Sequence, residues 1–434
     1  MSKNLLFRSE TINLFRKNKL YLIYRNIYDK ITLKVEGYIM KLIKRSYLND
    51  LINVIGTPDI KVITGVRRSG KSKLLEAFFE YVVTNFQDAN VINIDFNKIE
   101  FEELQEYHAL NEYITSRYQD GKRNFVIIDE IQMCLNFEKT INSLHSYEKY
   151  DIYITGSNAF LLSSDLATLF TGRTIEIKVF PFSYQEFIEY YELEYPISNF
   201  DRYVTEGGFA GSYLYPNVKG KYDYISGVYE TIIQRDLIKR KKIRNNVLLK
   251  KLSSFLMDNI SNLTSINNIA KVLNDNSMQT NDKTVGSYVD NLCQAFLFYK
   301  ISRYDIKGKK YLASSEKYYL SDQSFKYAVL GKKDMNYGRI YENIVAIELL
   351  RRGYEVYVGV LYQKEIDFVA IKKDEKIYIQ VSDDISNEKT FAREVDSLLK
   401  IKDAYPKLLI ARTRHPEYTY EGIKVVDIGD WLSK

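Results

Sequence analysis

Residues Lys61 to Ser72 read K-V-I-T-G-V-R-R-S-G-K-S, a complete G-x-x-x-x-G-K-[ST] loop between an apolar run and a helical pattern. Few stretches restrict a fold so tightly. Such a loop works where a buried strand stops and a helix begins, because its backbone N–H groups must converge on an anion at the positive end of the helix. Lys61-Val62-Ile63-Thr64 reads as the strand, and Lys73 to Phe78 opens the helix. Gly65 and Gly70 allow the tight turn, and Val66, Arg67, Arg68 and Ser69 lie between them. Together with Lys71, Ser72 and Lys73 they form the expected phosphate cradle. Lys71 brings a mobile positive charge. Ser72 offers a hydroxyl to Mg²⁺, which prefers hard oxygen ligands. The expected ligands are therefore ATP and Mg²⁺.

Two further strands point at the same place. Phe125-Val126-Ile127-Ile128 ends in Asp129-Glu130, about 60 residues after the loop, where a parallel sheet brings the acids beside it. Asp129 is the expected second Mg²⁺ ligand, and Glu130 the group that orients or deprotonates the attacking water. Asp151 to Gly156 is another apolar run, followed by Ser157 and Asn158. Asn158 is the candidate sensor of the terminal phosphate or lytic water, and Ser157 a weaker one. Arg173 follows a glycine and precedes the strand 174–179, so it is a candidate for stabilising transition-state charge, in cis or from a neighbouring subunit. Pairing with a surface carboxylate is the competing reading.

Composition excludes several classes. A hydrophobic fraction of 45% and an aromatic fraction of 14% suffice for packed cores in a chain of 434 residues. No apolar run reaches the roughly 18 residues of a membrane span. Cys134, Cys293, His108, His145 and His415 form no metal-ligand spacing, and a reduced cytoplasmic setting fits two cysteines best. Residues 1–45 hold eleven Lys/Arg and three Asp/Glu, whereas the whole chain carries only +6. The remainder is thus slightly acidic, and global charge says little about DNA. Residues 1–39 are expected to be either a basic extension or a non-native segment preceding a start at Met40.

Alternating β and α patterns, with strands near 60–65, 91–95, 125–129, 151–156 and 174–179, imply a parallel sheet covered on both faces. This α/β nucleotide domain is expected over 40–205, ending near Gly207-Gly208. A helical and winged-helix region is expected over 206–330. Its features are a basic run (Lys239, Arg240, Lys241, Lys242, Arg244), two short amphipathic helices near 265–273 and 284–292, and alternation near Lys317 to Leu320. A solvated helix end explains such a basic run equally well. Residues 331–434 read as a separate α/β unit of restriction-endonuclease-like type, with Asp367 and Glu342 as candidate acids. Its E-x-K position reads Gln380-Val381-Ser382, so neither the carboxylate nor the lysine is present and little or no nuclease activity is expected.

Taken together, G-V-R-R-S-G-K-S, I-I-D-E-I-Q, I-T-G-S-N, T-G-R, G-G-F-A-G-S-Y and E-I-D-F-V resemble a widespread prokaryotic family. Its members join an AAA-like P-loop ATPase domain to a carboxyl-terminal region of unknown function. The resemblance covers about residues 40–434. It implies an ATP site at Lys71, Ser72, Asp129 and Glu130, a winged-helix segment and a nuclease-like terminal domain. The leading functional expectation is an Mg²⁺-dependent ATPase coupled to DNA binding or remodelling, as a homo-oligomer. The alternative is an ATP-controlled signalling or defence switch acting on a protein partner.

Overall fold

The computed structural model describes residues 20–25, 30–35, 38–156, 170, 172–194, 196–332 and 335–434. Three strands, β1 (Leu20–Arg25), β2 (Lys30–Val35) and β3 (Tyr38–Leu42), form a small antiparallel sheet, and Met40 falls inside β3.

The nucleotide domain is a five-stranded parallel sheet of β4 (Ile60–Thr64), β5 (Ala89–Asp95), β6 (Arg123–Asp129), β7 (Tyr150–Thr155) and β8 (Thr174–Lys178). Each central strand is apolar on both faces. Val62, Val126, Ile128, Ile152 and Ile154 pack with Leu110 and Ile141 from the helices Tyr107–Thr115 and Phe137–Ser146. Ile63, Phe125, Ile127 and Tyr153 pack on the other side with Leu74, Phe78 and Val82 of the helix Lys71–Asn85. Burying each such side chain contributes about 2 kcal/mol, which is why continuous apolar runs rather than alternation mark these strands.

The strand order is β5-β6-β7-β4-β8. The acids at the end of β6 are therefore one strand removed from the loop after β4, and the end of β7 lies between them. The acids nevertheless lie beside the loop, as expected from the sequence, with the Ser72 hydroxyl bonded to Asp129 across the end of β7.

Beyond β8 the elements merge. The helices Asn246–Asp258, Ile266–Asp275 and Asp282–Gln294 start at Asn245, Ser265 and Asn281, whose side chains accept backbone N–H groups of Leu248, Asn268 and Thr284. An antiparallel hairpin follows, β9 (Phe298–Asp305) and β10 (Lys310–Leu320). This hairpin does not end a domain. It continues into β11 (Glu355–Leu361), β12 (Lys364–Lys372), β13 (Glu375–Ser382), β14 (Lys407–Ala411), β15 (Tyr418–Tyr420) and β16 (Ile423–Asp427) as one eight-stranded sheet, in the order β10-β9-β11-β12-β13-β14-β16-β15. β11 pairs with β9 in parallel, Val358 opposite Arg303. The boundary expected between 330 and 331 thus runs through a sheet.

Gly207 and Gly208, expected to mark a boundary, lie in a packed joint. The Gly208 N–H donates to the buried Asp322 carboxylate at 2.6 Å. A Cβ on Gly208 would stand 2.3 Å from the Phe182 carbonyl oxygen, so only glycine admits this approach.

Candidate nucleotide-binding site

Gly65 leaves β4 at φ +141°, and an added Cβ would lie 2.0 Å from the Val179 carbonyl oxygen. Gly70, at φ +103°, starts the helix Lys71–Asn85, and between them the loop is closed by a Ser69 N–H bond to the Val66 carbonyl, 3.1 Å. The Lys71 ammonium curls back over this turn and donates to the carbonyls of Gly65 (2.8 Å) and Val66 (3.1 Å). Burial pulls its pKa down to about 8, against the opposing pull of Glu130 and Asp129. The Ser69 hydroxyl is buried and finds no partner among the described residues. A buried donor without an acceptor suits a cradle built to surround a phosphate oxygen.

The acids stand at the carboxyl edge of the same sheet. Asp129 is buried, and desolvation raises its pKa against hydrogen bonds from Thr155 and Ser72, with Glu130 and Asp95 adding repulsion. The hydroxyl of Ser72, from the loop, and Asp129, from β6, thus meet across the intervening strand. An oxygen pair beside clustered negative charge fits a hard divalent cation completed by phosphate oxygens and water.

Thr155, the last residue of β7, was not singled out by sequence reasoning. Its hydroxyl donates to Asp129 and accepts the Glu130 N–H at 3.0 Å. Glu130 sits in the left-handed region at φ +56°, and its carboxylate accepts the side-chain amide of Gln132. The one hint of Thr155 in the sequence is its place at the end of an apolar strand.

Three arginines complete the surroundings. Arg45, buried, donates to the Ser69 carbonyl (2.7 Å), the Phe180 carbonyl (2.8 Å) and Glu186 (2.7 Å), so it braces the loop from behind. Arg67 forms a two-pronged ion pair with Asp236 at 2.9 and 2.7 Å. Asp236 belongs to the π-helical segment Ile232–Lys239. One turn on, Arg240 donates to the Gln132 carbonyl at 2.9 Å, and burial lowers its pKa. A cavity of ≈ 300 Å³ lies between this segment and the loop, lined by Arg67, Glu130, Gln132, Arg235, Lys239 and Arg240 among others.

The other expectations divide. Ser157 and Asn158 lie outside the described residues. Arg173 precedes β8, and its carbonyl accepts the N–H of Ile60 at the start of β4 (2.8 Å), whereas the loop leaves the other end of that strand. Five strand residues separate the two levels, roughly 16 Å. Within one chain the Arg173 backbone is therefore at the wrong edge of the sheet to serve the phosphates. The basic run at 239–244 is also redistributed: Lys239 and Arg240 line the cavity beside Arg67 and Glu130, and Lys241 bonds to Gln294.

In the carboxyl-terminal sheet, Glu342 and Asp367 do come together, with a lysine that the local motif lacks. Lys317, from β10, donates to Glu342 (2.8 Å) and pairs with Glu365 (2.7 Å), with Asp367 at 3.9 Å. No group of three or more metal-ligating side chains is found among the described residues. No helix there is long and apolar enough to cross a membrane.

An AAA domain family model matches residues 57–188, and a model of a domain of unknown function matches residues 197–336. An uncharacterized protein of Haemophilus influenzae is 38% identical over 395 residues, 90% of this chain and 98% of that protein. One of Methanocaldococcus jannaschii is 28% identical over 393 residues, 86% of this chain and 85% of its own. Among solved structures, a Walker-type ATPase of Pyrococcus abyssi covers 66% of this chain and 95% of its own length at 16% identity, with a TM-score of 0.39.

Proposed function

We propose that this chain, which belongs to one family with the Haemophilus influenzae protein and carries an AAA domain over residues 57–188, binds and hydrolyses ATP and passes the nucleotide state to its carboxyl-terminal half. The observation that carries this reading is the Arg67–Asp236 pair, which ties the phosphate loop to the segment leading into the three-helix and hairpin unit.

In the proposed reaction Lys71 leaves the Gly65 and Val66 carbonyls for the β- and γ-phosphate oxygens. Glu130 accepts the proton of a water whose oxygen attacks the γ-phosphorus, and the bond to the β,γ-bridging oxygen breaks to leave ADP. Ser72 and Asp129 would hold Mg²⁺, which supplies charge neutralisation on the phosphates. Thr155 keeps Asp129 and Glu130 in register. Arg67, Arg235 and Arg240 supply positive charge from within the chain. Any role of Arg173 at a phosphate belongs to a second copy, in a homo-oligomer.

Lys71→Ala is expected to abolish nucleotide binding by calorimetry, and Glu130→Gln to bind ATP while losing most turnover. Wild-type turnover in Glu130→Gln would overturn the assignment.

For the output, the order of three helices and a hairpin supports a winged helix and hence DNA as the partner. Anisotropy titrations with duplex, single-stranded and branched DNA test this, with and without ATP. Absence of salt-sensitive binding to all three sinks it. The inward turn of Arg240 and Lys241 favours the second reading, a switch that docks a protein; it predicts a partner retained after nuclease treatment.

A further inference from the structure

Although residues 46–434 together are slightly acidic, three short segments within them, 303–311, 372–376 and 400–407, hold ten Lys/Arg against four Asp/Glu. The fold brings Lys309, Lys376 and the loop carrying Asp403 and Tyr405 together on one face of the eight-stranded sheet, whereas Lys372 turns to the other face and donates to the Arg352 carbonyl at 2.6 Å. The Lys376 ammonium lies 5.4 Å from the Tyr304 ring, 4.8 Å from Tyr378 and 5.0 Å from Tyr405. Partial burial, and then the neighbouring Lys309 charge, pull Lys376 below the usual lysine range against Asp403.

Tyrosines are interleaved with these cations. Tyr311 pairs in register with Tyr304 across β10 and β9. Ring centroids of Tyr311, Tyr304 and Tyr357 are 5.2–5.9 Å apart. Register then runs from Tyr357 through Val369 to Tyr378, whose ring meets Tyr405 at 6.5 Å. The helix Glu388–Leu399 covers the sheet at β12, β13, β14 and β16. Outside it Tyr311 is 65% exposed and Tyr405 44%. Two carboxylates of the region are spent on ring hydroxyls, Glu355 on Tyr357 (3.1 Å) and Asp403 on Tyr378 (2.5 Å), which fixes the planes of those rings.

We propose that this tyrosine and lysine ledge, formed by β9, β10, β11 and β13 with the loop before β14, binds single-stranded nucleic acid. Tyr311 and Tyr405 offer exposed ring faces to unstacked bases, each backed by a buried ring, Tyr304 and Tyr378 respectively, and the Lys376 and Lys309 ammonium groups near them meet the phosphates. A duplex hides its base faces and offers the ledge only its backbone. The inference shares with the preceding reading only the class of partner, and it stands whether or not the chain hydrolyses ATP.

Nucleotide-free full-length protein is titrated into labelled oligo(dT) and oligo(U), with a duplex of equal length alongside. Tighter binding to at least one single strand than to duplex is expected, and the tighter of the two names the source. Tyr311→Ala and Tyr405→Ala should each weaken it roughly tenfold, whereas Tyr311→Phe, which keeps the ring, should bind as wild type. Lys376→Ala should reduce the salt slope by about 0.7. Circular dichroism checks that each variant is folded, and Tyr311 is exposed enough for its replacement to spare the core. The proposal is overturned by no binding to either single strand, by duplex binding as tight, or by unchanged affinity in the folded Tyr311→Ala, Tyr405→Ala double variant. Lys71→Ala should leave this binding intact, so failure of the ATP site and failure of the ledge are read separately.

Discussion

In the proposed cycle Lys71 would face two environments. Curled onto carbonyl oxygens it is buried and holds its proton only to about pH 8. A phosphate in contact would stabilise the charged form and push the value back up. Nucleotide binding at pH 8 should therefore take up a fraction of a proton, seen as different binding enthalpies in Tris and phosphate buffers. Equal enthalpies after correction for buffer ionisation would count against a lysine–phosphate contact. Thr155 is the second residue with a distinct signature. Because its hydroxyl is spent on both acids, Thr155→Val should lower kcat about tenfold and leave nucleotide affinity near wild type. A large loss of affinity with kcat unchanged would show that it serves binding instead.

The elements that matter most are the phosphate loop and the segment Ile232–Lys239, joined by Arg67 and Asp236. The pair is nearly dry, with side chains 15% and 4% exposed. Asp236→Ala would leave a buried guanidinium without its anion, at a cost of about 3 kcal/mol, whereas replacing both partners by apolar residues should cost less. Urea denaturation of the single and double variants measures this. If coupling runs through the pair, both variants also lose any effect of ATP on the carboxyl-terminal half, read by hydrogen exchange in 246–294. Both ends of this contact were visible in the sequence as a loop residue and a helical residue. Their meeting was not, because 169 positions separate them.

At the scale of the molecule, the hairpin β9–β10 belongs to two units at once. Lys317 carries it into the acids of the terminal sheet, and Arg351 donates to the Pro181 carbonyl at 3.0 Å, linking that sheet's helix back to the end of the nucleotide domain. Burial raises the pKa values of Glu342 and Asp367, with Lys317 as the counterweight. A carboxyl raised in the fold holds a proton that the unfolded chain has released, so it costs stability as pH rises through that window. Lys317→Met removes the counterweight and widens the window. Its destabilisation should be small near pH 5 and larger at pH 8, by urea midpoints at the two values. A deficit independent of pH would mean that Lys317 acts by packing alone.

The sequence by itself determined the local grammar of this protein. The loop with its glycines, the apolar strands, the acids at a strand end and the side chains that cap helices all depend on neighbours within a few positions, where residue type dictates backbone. Tertiary structure decided what those pieces meet. Tertiary pairing set Thr155 between the loop and the acids, put Arg173 at the far end of β4 from the loop, and carried the hairpin β9–β10 into the eight-stranded sheet. Such choices come from burying whole faces against one another, and pairings between distant residues leave no periodicity for a sequence to display. The same reason accounts for Lys317, whose ammonium meets Glu342, Glu365 and Asp367 from 25 or more positions upstream.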